Sequence, residues 1–152
     1  MQGGRKKSRE ILFRVLFEVD ISREDLMESL EYSLGRYHLT EDGRDHTMRV
    51  ATDAVTSLEQ IDDLIRARLD RWKLERVSTV VRSVLRLAVA ELRAAPEVAT
   101  AVILDEAIQM ARKYGEDGAD RFVNGVLDRV AVDIRSENGE DAERASSEKE
   151  ES

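Results

Sequence analysis

Val77, Val81, Val84, Leu85, Ala88 and Leu92 recur at the three- and four-residue spacing of one helix face. Val80, Leu87 and Val89 fall off that stripe and carry the apolar surface most of the way round. A helix of this kind is enclosed by others rather than laid on a surface. Arg82, Arg86 and Glu91 interrupt it, and it is too short to span a bilayer. The pattern predicts a central helix with the rest of the chain packed around it.

The flanking segments repeat the helical period. Residues 1–4 show no pattern, and Ser8 is placed to cap a helix carrying Ile11, Leu12, Val15, Leu16, Phe17 and Val19. Ser22, with Asp25 three residues on, opens a second helix through Leu26, Met27, Leu30 and Leu34, with Gly35 as its stop. Tyr37 to Asp45 reads as a loop. Met48, Ala51, Val55 and Leu58 form a third stripe. Ser57 with Gln60 is a capping box for a fourth, bearing Ile61, Leu64, Ile65, Leu69 and Trp72, either separate from the third or kinked against it. Pro96 closes the central helix, and Val102 to Tyr114 forms a sixth, ended by Gly115. The segment Arg121–Asp128 contains Asn124-Gly125, a strong hairpin signal. Yet Ala119, Phe122, Val123, Val126, Leu127, Val130 and Ile134 hold a helical period through it, and no other strand exists for a hairpin to join. It reads as a seventh helix, in which Gly125 requires a reason such as close approach of a neighbour. The expectation is an all-α fold of about seven helices, in two packed bundles around the central buried helix. Residues 1–135 form one domain, and 136–152 an acidic disordered tail.

Composition agrees with this and removes several chemistries. The chain has no Cys, one Pro and 37% charged residues. Without Cys there is no disulfide framework, thiolate metal site or thiol nucleophile. No signal-peptide-like or membrane-length apolar run occurs, so the default location is cytoplasmic. The net charge of -8 hides an asymmetry. Arg5, Lys6, Lys7, Arg9 and Arg14 oppose only Glu10 in residues 1–14, whereas the tail is strongly acidic. A basic head on an acidic body points to a polyanion-binding end.

Candidate chemistry is sparse. His38 and His46 lack repeating ligands at helical spacing and read as surface histidines, and Asp62-Asp63 and Asp105-Glu106 read as cap or surface charges. Neither a catalytic set, nor a metal site, nor a cofactor motif is expected. The basic cluster Arg5, Lys6, Lys7 and Arg9 suits phosphates, as a mobile arm able to follow a single strand. Arg112-Lys113-Tyr114 and Arg121-Phe122 form a second basic-aromatic patch, although periodicity favours the core for Phe122. A helical protein-interaction scaffold whose basic arm docks on an acidic partner is the alternative.

Three segments resemble the NusB family of bacterial transcription antitermination factors. They are Arg9-Glu10 with Val15-Leu-Phe17; Trp72-Lys-Leu-Glu-Arg76 leading to Val84-Leu-Arg-Leu-Ala88 and Glu91-Leu92; and Val102–Ala107 with Lys113-Tyr-Gly115 and Phe122-Val-Asn-Gly-Val-Leu-Asp128. The resemblance covers roughly residues 5–134. It implies two helical bundles and binding of boxA RNA from ribosomal RNA leader transcripts. The implied partners are NusE, the small-subunit ribosomal protein, and the RNA polymerase antitermination complex. It implies RNA contacts by Arg5, Lys6, Lys7 and Arg9, and by Gly118, Arg121 and Phe122. It also implies a partner surface at Phe17, Glu75, Val81 and Arg82. Where this chain has Val81 some members carry an acidic residue, and where it has Gly118 some carry Asp. A similar domain precedes some RNA cytosine methyltransferases. The lack of Cys and of a glycine-rich cofactor motif sets that use aside, so the domain is expected to act alone, as monomer or homodimer.

Overall fold

The computed structural model describes residues 3–22 and 25–137. Among them lie seven α-helices: α1 (Gly3–Ser22), α2 (Leu26–Gly35), α3 (Glu41–Thr56), α4 (Leu58–Arg66), α5 (Thr79–Ala94), α6 (Thr100–Tyr114) and α7 (Ala119–Glu137). A single 3-10 turn, Leu74–Arg76, precedes α5. Helices α1 to α3 pack as one bundle and α4 to α7 as another, with α5 also against α1 and α3. The all-α expectation and the central helix are both realised. Val84, Leu85, Val89 and Leu92 on α5 are fully enclosed, and Ser78 caps the helix by accepting from the Val81 amide at 3.2 Å.

Helix α7 runs unbroken through Asn124-Gly125, so the hairpin signal loses to the apolar period that seats Val123, Val126, Leu127 and Val130 in the core. Gly125 does not serve the purpose expected of it. It is exposed, and a Cβ there would meet no atom within 4 Å. The tight glycine is Gly115, where a Cβ would lie 2.7 Å from both the Ala111 carbonyl oxygen and Ala119 Cβ. Here α6 ends and α7 begins.

Several boundaries differ from the sequence reading, each for a local reason. Asp25 rather than Ser22 caps α2, accepting from the Glu28 amide at 3.0 Å, while the Ser22 hydroxyl donates back to the Glu18 carbonyl inside α1. Residues 41–45 are helical, because Thr40 caps α3 by accepting from Gly43 N at 3.0 Å. Helices α3 and α4 are separate, broken at Ser57, whose side chain makes no capping bond. Helix α4 stops at Arg66, leaving Trp72 beyond it and exposed. Ser136 and Glu137 belong to α7, and the rest of the expected tail lies outside the described residues. No helix among the described residues is long and apolar enough to cross a membrane.

Candidate nucleic-acid interface

The basic cluster near the start of the chain is helical, not an arm: α1 already begins at Gly3. Helical geometry sends its four cations in different directions. Arg5 forks onto Asp42 of α3 (3.0 and 3.1 Å) and reaches Glu97 beyond α5 (3.1 Å). Lys6 turns toward α6, with Nζ 3.7 Å from Glu106. Lys7 lies over the Tyr37 ring, 4.5 Å from its centroid, and near Glu10. Arg9 points inward.

Arg9, expected among the RNA contacts, has its charge committed to an ion pair within the fold. It is only 5% exposed and donates to Glu91 of α5, Nε at 2.9 Å and Nη2 at 2.5 Å. His46 of α3, fully buried rather than a surface histidine, places Nε2 3.2 Å from the same carboxylate without the alignment of a good hydrogen bond. Burial pushes the Glu91 carboxyl up, but His46 and the Arg9 guanidinium pull harder, so it rests below the usual range. This trio clamps α1, α3 and α5 together beneath the exposed lysines. Ser8, buried and bonded to the Thr47 hydroxyl, joins α1 to α3 beside it rather than capping a helix.

Above the clamp, the basic-aromatic segments come together. Lys6, Arg9 and Glu10 of α1 and Glu106, Lys113 and Tyr114 of α6 line one cleft of about 170 Å³. Tyr114 stacks on Phe13 of α1, centroids 4.8 Å apart, and Lys113 Nζ sits 5.2 Å from the Tyr114 ring. Past Gly115, Gly118 takes φ +90°, a left-handed turn that suits glycine and brings α7 back alongside α6. Arg112 is held at 3.2 Å by Asp120, while Arg121 is exposed. Phe122 is half-buried against the core, showing only part of its ring.

The same face holds residues that sequence reading passed over. Tyr37 lies under Lys7, with its hydroxyl 3.4 Å from Arg14, and Arg36 stands 5.7 Å from the Tyr32 ring. Cations thus alternate with aromatic rings from α2 across α1 to α6. Tyr32 is an exposed residue of α2, and Arg36 and Tyr37 follow the end of that helix, so the apolar period marks none of them; proximity to Lys7 gives Tyr37 its meaning.

The expected partner residues divide. Phe17 is half-buried and stacks on Phe13 at 6.1 Å, and Glu75 is exposed and paired with Arg66 at 3.0 Å. Val81 is not on an exposed side of α5: it is 7% exposed and belongs to the core. Arg82 is mostly enclosed. It donates to Asp20 at 2.6 Å and to the Leu74 and Val77 carbonyls, so it ties the approach to α5 onto the end of α1. Beside it, Leu16, Val19, Leu26, Val55 and Leu58 line an apolar hollow of about 380 Å³ floored by Arg86 and Asp20.

Comparison with known proteins matches residues 6–132 to the model of the NusB family. The transcription antitermination protein NusB of Pseudothermotoga lettingae is 37% identical over 135 residues, which are 88% of this chain and 94% of that protein. The Bacillus subtilis protein of the same name is 34% identical over 131 residues, 86% of this chain and 96% of its own. Among solved structures, T. maritima NusB is similar with a TM-score of 0.80 at 38% identity, covering 86% of this chain and 92% of that one. A structure of antitermination factors NusB and NusE in complex with dsRNA is similar at a TM-score of 0.76 and 28% identity, covering 86% and 98%.

Proposed function

The chain belongs to the NusB family, and on that premise we propose that it is a non-enzymatic, cytoplasmic adaptor in transcription antitermination. It binds boxA-type single-stranded RNA of ribosomal RNA leader transcripts, together with the ribosomal protein NusE, and joins them to the RNA polymerase antitermination complex. The observation that carries the reading is the cleft that brings Lys6 together with Lys113 and Tyr114. Lys6, Lys113 and Arg121 supply exposed cations for phosphates and Lys7 a half-buried one, and Tyr37, Tyr114 and the open part of Phe122 supply rings for bases. Gly118 lets the backbone approach the strand. Arg5 and Arg112, each engaged by a carboxylate, are secondary contacts, and Arg9 acts chiefly by holding α1 in place beside the cleft it helps to line.

NusE docks at the other end of α1, on Phe17, Glu75 and the apolar hollow of Leu16, Val19, Val55 and Leu58. Val81 shapes that surface from beneath. Tethering two modest RNA binders raises the effective concentration of each without new chemistry.

A filter-binding salt titration tests the RNA surface. Replacing Lys6, Lys7 and Lys113 with Ala should weaken boxA-type RNA binding and lower the log–log salt slope by about 2, at about 0.7 per phosphate contact. Unchanged affinity and slope, with NusE binding intact, would favour a protein-interaction scaffold instead.

A further inference from the structure

The connector from α4 to α5 carries a second basic-aromatic surface. Residues 66–76 contain Arg66, Arg68, Arg71, Lys73 and Arg76 against only Asp70 and Glu75, in a chain of net charge -8. Both carboxylates are engaged, Asp70 by Arg129 at 2.8 Å and Glu75 by Arg66 at 3.0 Å. Arg71, Lys73 and Arg76 are exposed and form no ion pair among the described residues. Between Arg71 and Lys73 stands Trp72, the chain's single tryptophan, 58% exposed. An indole more than half exposed, with a cation on either side of it in sequence, buries little apolar area for the fold and is open to stack.

The connector is fixed rather than loose. Arg68 forks onto Asp133 of α7 (Nε at 2.7 Å), and Arg129 of α7 donates to the Arg68 carbonyl at 3.0 Å as well as to Asp70. Arg129 lies eight residues from Arg121, about 12 Å along the helix. Between them α7 exposes Asn124, Asp128 and Gly125, whose missing side chain leaves the surface open. Asp128 is the one carboxylate on that stretch. Arg129 thus joins the exposed side of α7 that follows Arg121 to the connector two residues before Trp72.

We infer that Arg71, Trp72, Lys73 and Arg76 form a second single-stranded RNA contact, reached by the strand continuing along α7 past Arg121 and Gly125. The inference rests on the RNA-binding reading. An acidic protein segment would use the cations but leave the indole without a stacking partner, so a nucleic-acid strand fits the pair better.

The test uses the full chain, a short boxA-type RNA and the same RNA extended by unstructured sequence on either side. The extended RNA should bind more tightly, show a steeper salt slope and quench Trp72 fluorescence. Arg71, Lys73 and Arg76 changed together to Ala should remove the added slope, about 0.7 per contact. Trp72→Leu should lower affinity for the extended RNA about tenfold and leave the short RNA unaffected. Equal binding of the two RNAs with unchanged Trp72 emission overturns the inference while leaving the RNA reading intact. Failure of both RNAs to bind overturns both. Equal quenching by polyglutamate also overturns it, since the patch would then be a general polyanion site.

Discussion

Arg9 offers the sharpest test of how the basic end is built. Its guanidinium is the main counter-charge to Glu91, a carboxylate 1% exposed, with His46 beside it. Arg9→Ala leaves that carboxylate in the core with the imidazole alone. Removing one partner of a buried pair costs about 3–5 kcal/mol. At about 2–4 °C per kcal/mol for a chain of this size, the melting temperature should fall by roughly 6–20 °C. Replacing both members is different. In Arg9→Met with Glu91→Gln, the stem packing is kept and the amide oxygen can accept from His46, so most of the loss should be recovered. Thermal unfolding followed by circular dichroism, at pH 7 and matched ionic strength, measures all three chains. If Arg9→Ala melts within about 2 °C of the parent, the pair is not a buried clamp. If the double variant is no more stable than the single one, the penalty does not come from the stranded carboxylate. RNA affinity measured well below the melting transition should change little in the double variant, because Arg9 is only 5% exposed and its charge is spent on Glu91.

Further outcomes follow from particular residues. Gly125→Ala should raise stability by about 1 kcal/mol, since the added methyl meets nothing and helix propensity improves; Gly115→Ala should lower it by about 1–3 kcal/mol, because the methyl would strike the Ala111 carbonyl. Urea midpoints of the two variants should therefore move in opposite directions. Val81→Glu, the acidic residue some relatives place there, should destabilise by about 2 kcal/mol, because the site is inside the core, and a pH 7 melt unchanged by it would contradict that burial. Acid should unfold the protein through its paired carboxylates. Arg49, with help from the backbone amide of Glu97 itself and from Arg5, draws Glu97 from 4.5 to about 2, and Arg5 lowers Asp42. Folded values below unfolded ones mean that the folded state binds fewer protons, so this stability is complete above about pH 4.5 and is lost as pH falls toward 2. Urea midpoints should drop steadily across that window, and the drop should shrink in Glu97→Gln.

The hydrophobic period alone determined the fold class, the seven helices and the enclosure of α5. It decided the one contested segment too, because a helix repeating through Asn124-Gly125 buries four apolar side chains that a hairpin would strand. Those are local properties, written in spacings of three and four. Helix ends were less legible: Ser22, Asp25 and Thr40 are all competent caps, and which one acts depends on where the chain must turn to pack. The basic cluster could be found by composition, but its use could not. Arg5, Lys6, Lys7 and Arg9 are near neighbours in sequence, yet a helix rotates each by about 100° from the last. Only the positions of α2, α3, α5 and α6 decided that Arg9 meets Glu91 in the core while Lys6 meets Lys113 and Tyr114 at the surface. The family resemblance places Val81 and Arg82 on a surface and the helical period carries Trp72 into the fourth helix, whereas the packing largely encloses the first two and exposes the third. Exposure is a property of what packs above a residue, and that is settled by helices distant in the chain.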